Sequence, residues 1–365
     1  MATNSFAVFA NETSTSLSPD RIERELSSMW KPINEAHGTS VSRVVLGNVL
    51  WLGCSERLDH VRSVFQRVIP RYPARVFLLE YQPDNATDEM VAAVNAQCFI
   101  PAPGAAPVCC EVIHLAFGPS AARHVRGAVA PLLVPDVQTV LWTSLGSIPF
   151  PELRSLQQHV DRTIRMASLS QDPVPHLQST IATSHPTLDL SWFRSTPLRE
   201  QVTAFFDDAE VGFDLSRVVR IELGSEKQDA VQLLVASMFL GWIGARLSWS
   251  VQGVSDGALQ LKSQSGTIEV GAWQCCGEGG ARMIRLVDAA GARFELRVSE
   301  EGMTLRCEVP GRLPVERHLR THLLREDEAL GLALNTPSKA RHFREASVLA
   351  IPIMEFLHAG SGAMH

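Results

Sequence analysis

Apolar positions fall into three successive patterns along the chain. Near the start they follow a helical period. Ser18-Pro19 opens a segment in which Ile22, Leu26, Met29 and Trp30 share one face, so a docking helix is expected there. The residues before it, 1–17, are rich in Ser, Thr and Asn and are expected to be disordered. From Val41 the pattern changes to short, fully apolar runs. Val41–Leu52 and Arg75–Tyr81 predict strands, and Glu56–Ile69 predicts a helix with Leu58, Val61, Phe65, Val68 and Ile69 inward. Pro70 to Pro73 stop that helix. Strand, helix and strand at this spacing predict a right-handed parallel crossover in a sheet covered on both faces.

Met90–Phe99 and Val108–Phe117 predict an antiparallel hairpin around the Pro/Gly-rich loop 101–107. Helices at Ala121–Val134 and Leu153–Asp161 and strands at Gln138–Trp142 and Arg162–Ala167 complete a mixed-sheet α/β domain over 41–167, preceded by a tail and helix over 1–40. Ser168–Pro186 is polar, carries three prolines and is expected to be the domain boundary. In Asp189–Glu200, Thr196 is the expected N-cap and Pro197 the first residue of a helix bearing Leu198, Val202, Phe205 and Phe206. A strand at Ser216–Leu223 and an apolar helix at Gln228–Leu247 follow. In that helix Gly241 and Gly244 either admit a neighbouring backbone or are simply tolerated near its end.

After Trp249 the period becomes alternating, the third pattern. Strands at Ala258–Lys262, Thr267–Ala272, Arg282–Val287, Arg293–Val298 and Thr304–Val309 predict an antiparallel meander. His318–Arg325 and Arg341–Ala346 read as helical. The second domain, α+β, is placed at 187–346, with a C-terminal tail at 347–365.

Composition adds exclusions. An apolar content of 45%, a charged content of 20% and a net charge of −6 over 365 residues fit an ordinary globular protein and not a nucleic-acid binder. No apolar run is long enough to span a bilayer, and the N-terminus lacks a signal-peptide pattern, so a cytoplasmic protein with no membrane partner is expected. The seven cysteines are an odd count, which argues against a disulfide framework in that compartment. Buried, inert thiols are the expected state. The adjacent pairs Cys109-Cys110 and Cys275-Cys276 are the redox candidates.

Catalytic motifs are missing. There is no P-loop, and Gly277-Glu278-Gly279-Gly280 fails the dinucleotide pattern at Arg282. Gly253-Val254-Ser255-Asp256-Gly257 spells a nucleophile elbow but precedes a strand, so a turn is expected. His318 and His322 stand four apart without the glutamate of a zinc helix. Glu111 opens a strand and reads as structural. No catalytic residue, metal or cofactor is expected.

Five segments, taken in order, resemble the OpcA family of glucose-6-phosphate dehydrogenase assembly proteins. Tyr72-Pro73-Ala74-Arg75 is similar to the family's H-P-S-R, and Val108-Cys109-Cys110-Glu111 to V-C-S-E. Leu132–Trp142, with Pro135-Asp136, resembles L-L-P-D-L-P-V-x-L-W-W. Leu190–Arg199 resembles L-A-W-x-R-L-T-P-W-R, with Leu198 replacing a frequent Trp, and Gly241–Trp249 resembles G-W-L-A-S-R-L-G-W. The resemblance implies a non-enzymatic partner that assembles or activates the dehydrogenase of the oxidative pentose phosphate pathway, linked in photosynthetic members to thioredoxin-type redox control. Trp192, Arg194, Arg199, Arg246 and Trp249 become candidates for the partner interface or the domain junction. The competing expectation is an independent enzyme binding sugar phosphates or nucleotides, with Arg194, Arg199 or Arg246 on the phosphate.

Overall fold

The computed structural model describes residues 7–9, 18–37, 41–103, 105–170, 172–224, 230–273, 282–299, 301–336 and 340–362. The chain divides into two compact units with interleaved segments: residues 1–170, 183–188 and 326–337 form the first, and 171–182, 189–325 and 338–365 the second. In chain order the elements are β1 (Ala7–Phe9), α1 (Pro19–His37), β2 (Ser42–Arg43), β3 (Gly47–Cys54), α2 (Leu58–Val68), β4 (Ala74–Tyr81), β5 (Met90–Phe99), β6 (Val108–Phe117), α3 (Ala122–Val129), β7 (Gln138–Thr143), α4 (Pro151–Arg154) and β8 (Arg162–Arg165). Then come α5 (Pro173–Ala182), β9 (Thr187–Asp189), α6 (Leu190–Arg194), α7 (Thr196–Phe206), β10 (Val218–Gly224), α8 (Ala230–Arg246), β11 (Ser250–Ser255), β12 (Ala258–Lys262), β13 (Thr267–Trp273), β14 (Arg282–Asp288), β15 (Arg293–Val298), β16 (Met303–Glu308), β17 (Val315–Leu319), α9 (Glu326–Asn335) and α10 (Ala340–Gly362).

The first unit is built on a mixed sheet of order β1-β5-β6-β4-β3-β7-β8-β9, with β2 beside β6. β3 lies parallel to β4 and to β7, as the predicted crossover requires, and β5–β6 is the predicted antiparallel hairpin, in register from Met90↔Phe117 to Phe99↔Val108. One face carries Leu50, Leu52, Phe77, Leu79, Val94, Ile113 and Leu115, packed with Ile22, Leu26 and Met29 of α1 and Val125 and Val129 of α3. Ser18 Oγ accepts from the Arg21 N–H and caps α1. α2 turns Val61, Val64, Phe65 and Val68 inward, and the Phe65 ring meets Trp142 edge-on at 5.7 Å.

The second unit is a mixed sheet of order β11-β12-β13-β10-β14-β15-β16-β17. The expected antiparallel pairings β12–β13, β14–β15 and β15–β16 are present, with one correction: β13 and β14 do not pair, because β10 lies between them, parallel to β13 and antiparallel to β14. Val218 and Ile221 of β10 are core residues, and a central position buries them where an edge would leave them half exposed. The inner sheet face packs on Val235, Phe239 and Ile243 of α8 and Leu349, Ile353 and Leu357 of α10.

The polar stretch 168–186, where the chain first passes from one unit to the other at 170/171, contains α5, with Pro173 at its start, where proline costs a helix little. Two further expectations are overturned. His318 lies in β17, not in a helix, and α9 begins only at Glu326. Residues 347–362 are no tail but most of α10, which contains Pro352. Burial of Leu349, Ile353, Met354 and Leu357 outweighs the ~3 kcal/mol a helix-interior proline costs. α8 and α10 approach closely at the two glycines: a Cβ on Gly241 would stand 2.1 Å from the Ala346 carbonyl oxygen, and one on Gly244 would stand 2.1 Å from Leu349 Cδ2. The glycines are therefore packing requirements.

Candidate functional site

The Asp189–Glu200 stretch forms a helix–helix corner within the second unit. Asp189 Oδ1 accepts from the Ser191 N–H at 2.9 Å and the Ser191 hydroxyl at 2.6 Å, so Asp189 caps α6. The expected cap, Thr196, is already helical. Ser195 occupies the capping position of α7, but its hydroxyl donates to the Trp192 carbonyl instead.

Arg199 closes the corner. Its guanidinium lies 3.7 Å from the Trp192 ring centroid and donates to the Trp192 carbonyl at 2.8 Å, to Thr196 Oγ1 at 2.9 Å and to Ser195 Oγ. Burial pulls it down to about 10, opposed by neighbouring Glu200. This charge is consumed inside the chain. The Trp192 ring is half-buried and meets Phe343 of α10 edge-on, centroids 6.3 Å apart. Arg194 is half-buried, and its carbonyl accepts from the Leu324 N–H at 3.3 Å.

The Gly241–Trp249 segment reaches the same turn of α10. Arg246 is exposed, its Nη2 lying 3.0 Å from His342 Nδ1, and that nitrogen is also 3.2 Å from Glu345 Oε2. One ring nitrogen cannot accept from Arg246 and donate to Glu345 at once, so the tautomer of His342 selects the partner. Ser248 has φ 57°, and the Trp249 N–H bonds the Gly244 carbonyl at 2.8 Å, a Schellman closure of α8. Trp249 is 7% exposed and belongs to the core. Of the five nominated residues, Trp192 and Arg246 thus meet neighbouring positions of α10, Arg199 braces Trp192, and Trp249 anchors the end of α8.

The other three family-like segments meet in the first unit, around Arg75. Its Nη2 and Nε reach Glu111 Oε2 at 2.6 and 2.7 Å, while Nη1 reaches Glu23 Oε1 at 2.7 Å and the Leu132 carbonyl. Arg43 at 2.6 Å and the Trp30 indole N–H at 3.2 Å complete the shell of Glu111 Oε1. Sequence reasoning assigned no role to Arg75; the signal was its place in a family-like segment that ends on a buried strand.

The redox candidates divide. Cys109 is disulfide-bonded to Cys98, its direct antiparallel partner, which corrects the expectation of free thiols throughout. Alternation turns Cys110 to the opposite face, where burial pushes its thiol up to about 12. A thiol so protonated is a poor nucleophile, against the redox reading of Cys110. Cys275 and Cys276 lie outside the described residues. Asp256, at φ 53°, and Gly257 form the turn of the β11–β12 hairpin, so Ser255 occupies no elbow. Among the described residues no group of three or more His, Cys, Asp or Glu could hold a metal, and no helix is long and apolar enough to cross a membrane.

Two family models match in tandem. Residues 66–181 match the glucose-6-phosphate dehydrogenase subunit N-terminal domain, and residues 185–347 match the C-terminal domain of the same subunit. Together the two domain matches span most of the chain. The chain belongs to the OpcA family. An OpcA from Synechocystis sp., named provisionally as an OxPP cycle protein, is 26% identical over 147 residues, 39% of this chain and 30% of its own length. One from Nostoc punctiforme, named in the same way, is 26% identical over 185 residues, 49% of this chain and 39% of its own. The matches thus take in well under half of the length of the curated relatives. A crystal structure from Bacteroides fragilis, named provisionally as an oxidoreductase, is 10% identical with a TM-score of 0.42, covering 88% of this chain and 98% of that one. That likeness is too slight to carry an argument.

Proposed function

We propose that this chain is a non-catalytic partner of glucose-6-phosphate dehydrogenase that promotes its assembly or activation. The observation that carries the reading is the tandem match of both subunit domains across most of the chain. Two features support it. The buried charges of Arg75 and Arg199 are spent on contacts within the chain. The first turn of α10, with exposed Arg246 beside His342 and half-buried Trp192 beside Phe343, offers the Arg and Trp types that dominate interface hot spots.

An activator works by binding the active dehydrogenase more tightly than the inactive form, and a coupling of ~1–3 kcal/mol changes affinity ~5–150-fold. The test is co-purification with the dehydrogenase of the same organism, together with its rate at limiting substrate with and without this protein. Saturable stimulation supports the proposal. Absence of binding at micromolar concentration, in oxidised and reduced samples alike, refutes it. The independent-enzyme reading loses ground at Arg199, whose donors are engaged within the chain and do not face a ligand.

A further inference from the structure

The two edges of the second sheet differ. β17 forms one edge, with Pro314 before it and Glu316, Arg317 and His318 within it. Charges and proline of this kind keep an edge from pairing with another chain. β11 forms the other edge and has none of these: Ser250-Val251-Gln252-Gly253-Val254-Ser255 carries no charge and no proline. Among the described residues no strand pairs with its outer side.

The register shows what that side presents. Asp256 and Gly257 make a two-residue turn, so Ser255↔Ala258 is the closing hydrogen-bonded pair of the β11–β12 hairpin. Alternation along β12 then turns the backbone bonds of Ala258, Gln260 and Lys262 to β11 and those of Leu259 and Leu261 to β13. The Ser263 N–H, bonded to the Gly266 carbonyl at 2.8 Å, is in phase with this. Val254 lies opposite Leu259, and Val251 opposite Leu261. The N–H and C=O groups of both valines therefore point away from β12, to the open edge. Val251 and Val254 would fall on opposite faces of a regular strand. The bulge between Val251 and Gly253 adds a residue and returns both to the face of Leu259 and Leu261. Those leucines are core, whereas Val251 is 41% and Val254 65% exposed. The edge thus offers open backbone groups and bare apolar side chains at the same two positions.

We propose that β11 pairs antiparallel with β11 of a second copy of this chain. The strand is self-complementary: S-V-Q-G-V-S keeps serine at both ends and valine next to each when read backwards. A two-fold axis between Gln252 and Gly253 sets Ser250 opposite Ser255, Val251 opposite Val254 and Gln252 opposite Gly253 of the second copy. Each Val251–Val254 pair exchanges both of its backbone hydrogen bonds, and the valines of the two copies cover one another on one face. Each bulge then opposes its own counterpart, and no like charges meet. A strand without a bulge would match only one of the two open positions, which favours a second copy over an unrelated strand. The pairing is independent of the dehydrogenase proposed above.

Sedimentation velocity of the full chain from ~1 to ~200 µM tests the proposal without any dehydrogenase. A monomer–dimer equilibrium with Kd on the order of 10–100 µM is expected, since one short strand pair buries less than the ~1,200–2,000 Å² of a standard interface. Val254→Lys puts an ammonium into the valine cluster and is expected to weaken the dimer at least tenfold with an unchanged melt, because this side chain is mostly exposed in the single chain. Gln252→Cys, beside its counterpart across the two-fold, is expected to oxidise to a cross-linked dimer. Ser255→Cys, about 17 Å from its counterpart, is not. A chain that stays monomeric throughout, a dimer unaffected by Val254→Lys, or cross-linking at Ser255→Cys as ready as at Gln252→Cys overturns the proposal. A monomer whose dehydrogenase binding is lost in Val254→Lys also overturns it and assigns the edge to that partner.

Discussion

Gly241→Ala is the sharpest probe of the second unit. The added methyl carbon would lie 2.1 Å from the Ala346 carbonyl oxygen and 3.0 Å from the Ala350 backbone nitrogen. Both obstacles are backbone, so no rotamer change relieves them, and α8 and α10 must separate by roughly 1 Å. Overpacking of this kind costs about 1–3 kcal/mol and occasionally more. A contact of 2.1 Å with backbone places Gly241 in the upper part of that range, ~2–3 kcal/mol, and alanine returns up to ~1 kcal/mol in helix propensity, leaving a net loss of about 1–2 kcal/mol or more. For a unit of this size that lowers Tm by roughly 2–8 °C. Gly244→Ala meets the end of the flexible Leu349 side chain first and should cost less. Gly127, in α3, has nothing within 4 Å of its virtual Cβ, so Gly127→Ala should raise stability by ~0.5–1 kcal/mol. Calorimetric or circular-dichroism melts of the three variants give the ranking. If Gly241→Ala melts at or above the parent while Gly127→Ala rises, the close backbone approach is wrong.

Four further outcomes are expected. Arg199→Ala should destabilise the second unit by about 2–4 kcal/mol, through loss of the Trp192 stack and three charged hydrogen bonds, and Arg199→Lys should restore less than half of it in denaturant melts; a wild-type melt with lost dehydrogenase binding would instead make Arg199 a contact residue. Peptide mapping without reductant should recover Cys98 and Cys109 in one bridged peptide, and native alkylation at pH 8 should leave Cys110 unmodified, since a thiol near 12 is ~1 part in 10⁴ thiolate there. Burial pushes the Glu80 carboxyl up, but hydrogen bonds from Ser55, Gln82 and His114 outweigh it and hold the group below its usual value. The unfolded chain then binds this proton more tightly, so the stabilisation is present above about pH 4.3 and lost as pH falls through the folded value. Glu80→Gln should flatten the acid limb of stability against pH, and an unchanged limb would remove Glu80 as its source. Under the partner proposal, Arg246→Glu should weaken dehydrogenase binding at least tenfold with an unchanged melt, and full retention in a pull-down would move the interface away from the α10 turn.

Legibility in the sequence followed the range of the interaction responsible. Ser18 as cap, α2, the β5–β6 hairpin and the turn after Ser255 depend on neighbours a few residues away, and periodicity or turn chemistry exposed them. α10 was also partly legible: Ala346, Leu349, Ala350, Ile353, Met354 and Leu357 keep a helical period that Pro352 and Glu355 obscured. At the α6–α7 corner, the sequence marked the right residues but not their roles. Two Arg and one Trp in a row of eight look alike whether they face a partner or each other, and only the 3.7 Å stack separates Arg199 from Arg246.

The sequence by itself determined the family-like segments, the alternation of strand and helix in the first unit and the strand-rich second half. These rest on local spacing and residue type, which a linear string records. Tertiary structure alone decided that β10 enters between β13 and β14, that α9 rejoins the first unit, that Cys98 faces Cys109, and that Arg75 gathers three distant segments on Glu111. Each is a long-range pairing chosen by burial and charge satisfaction across the fold, which neighbouring residues do not specify.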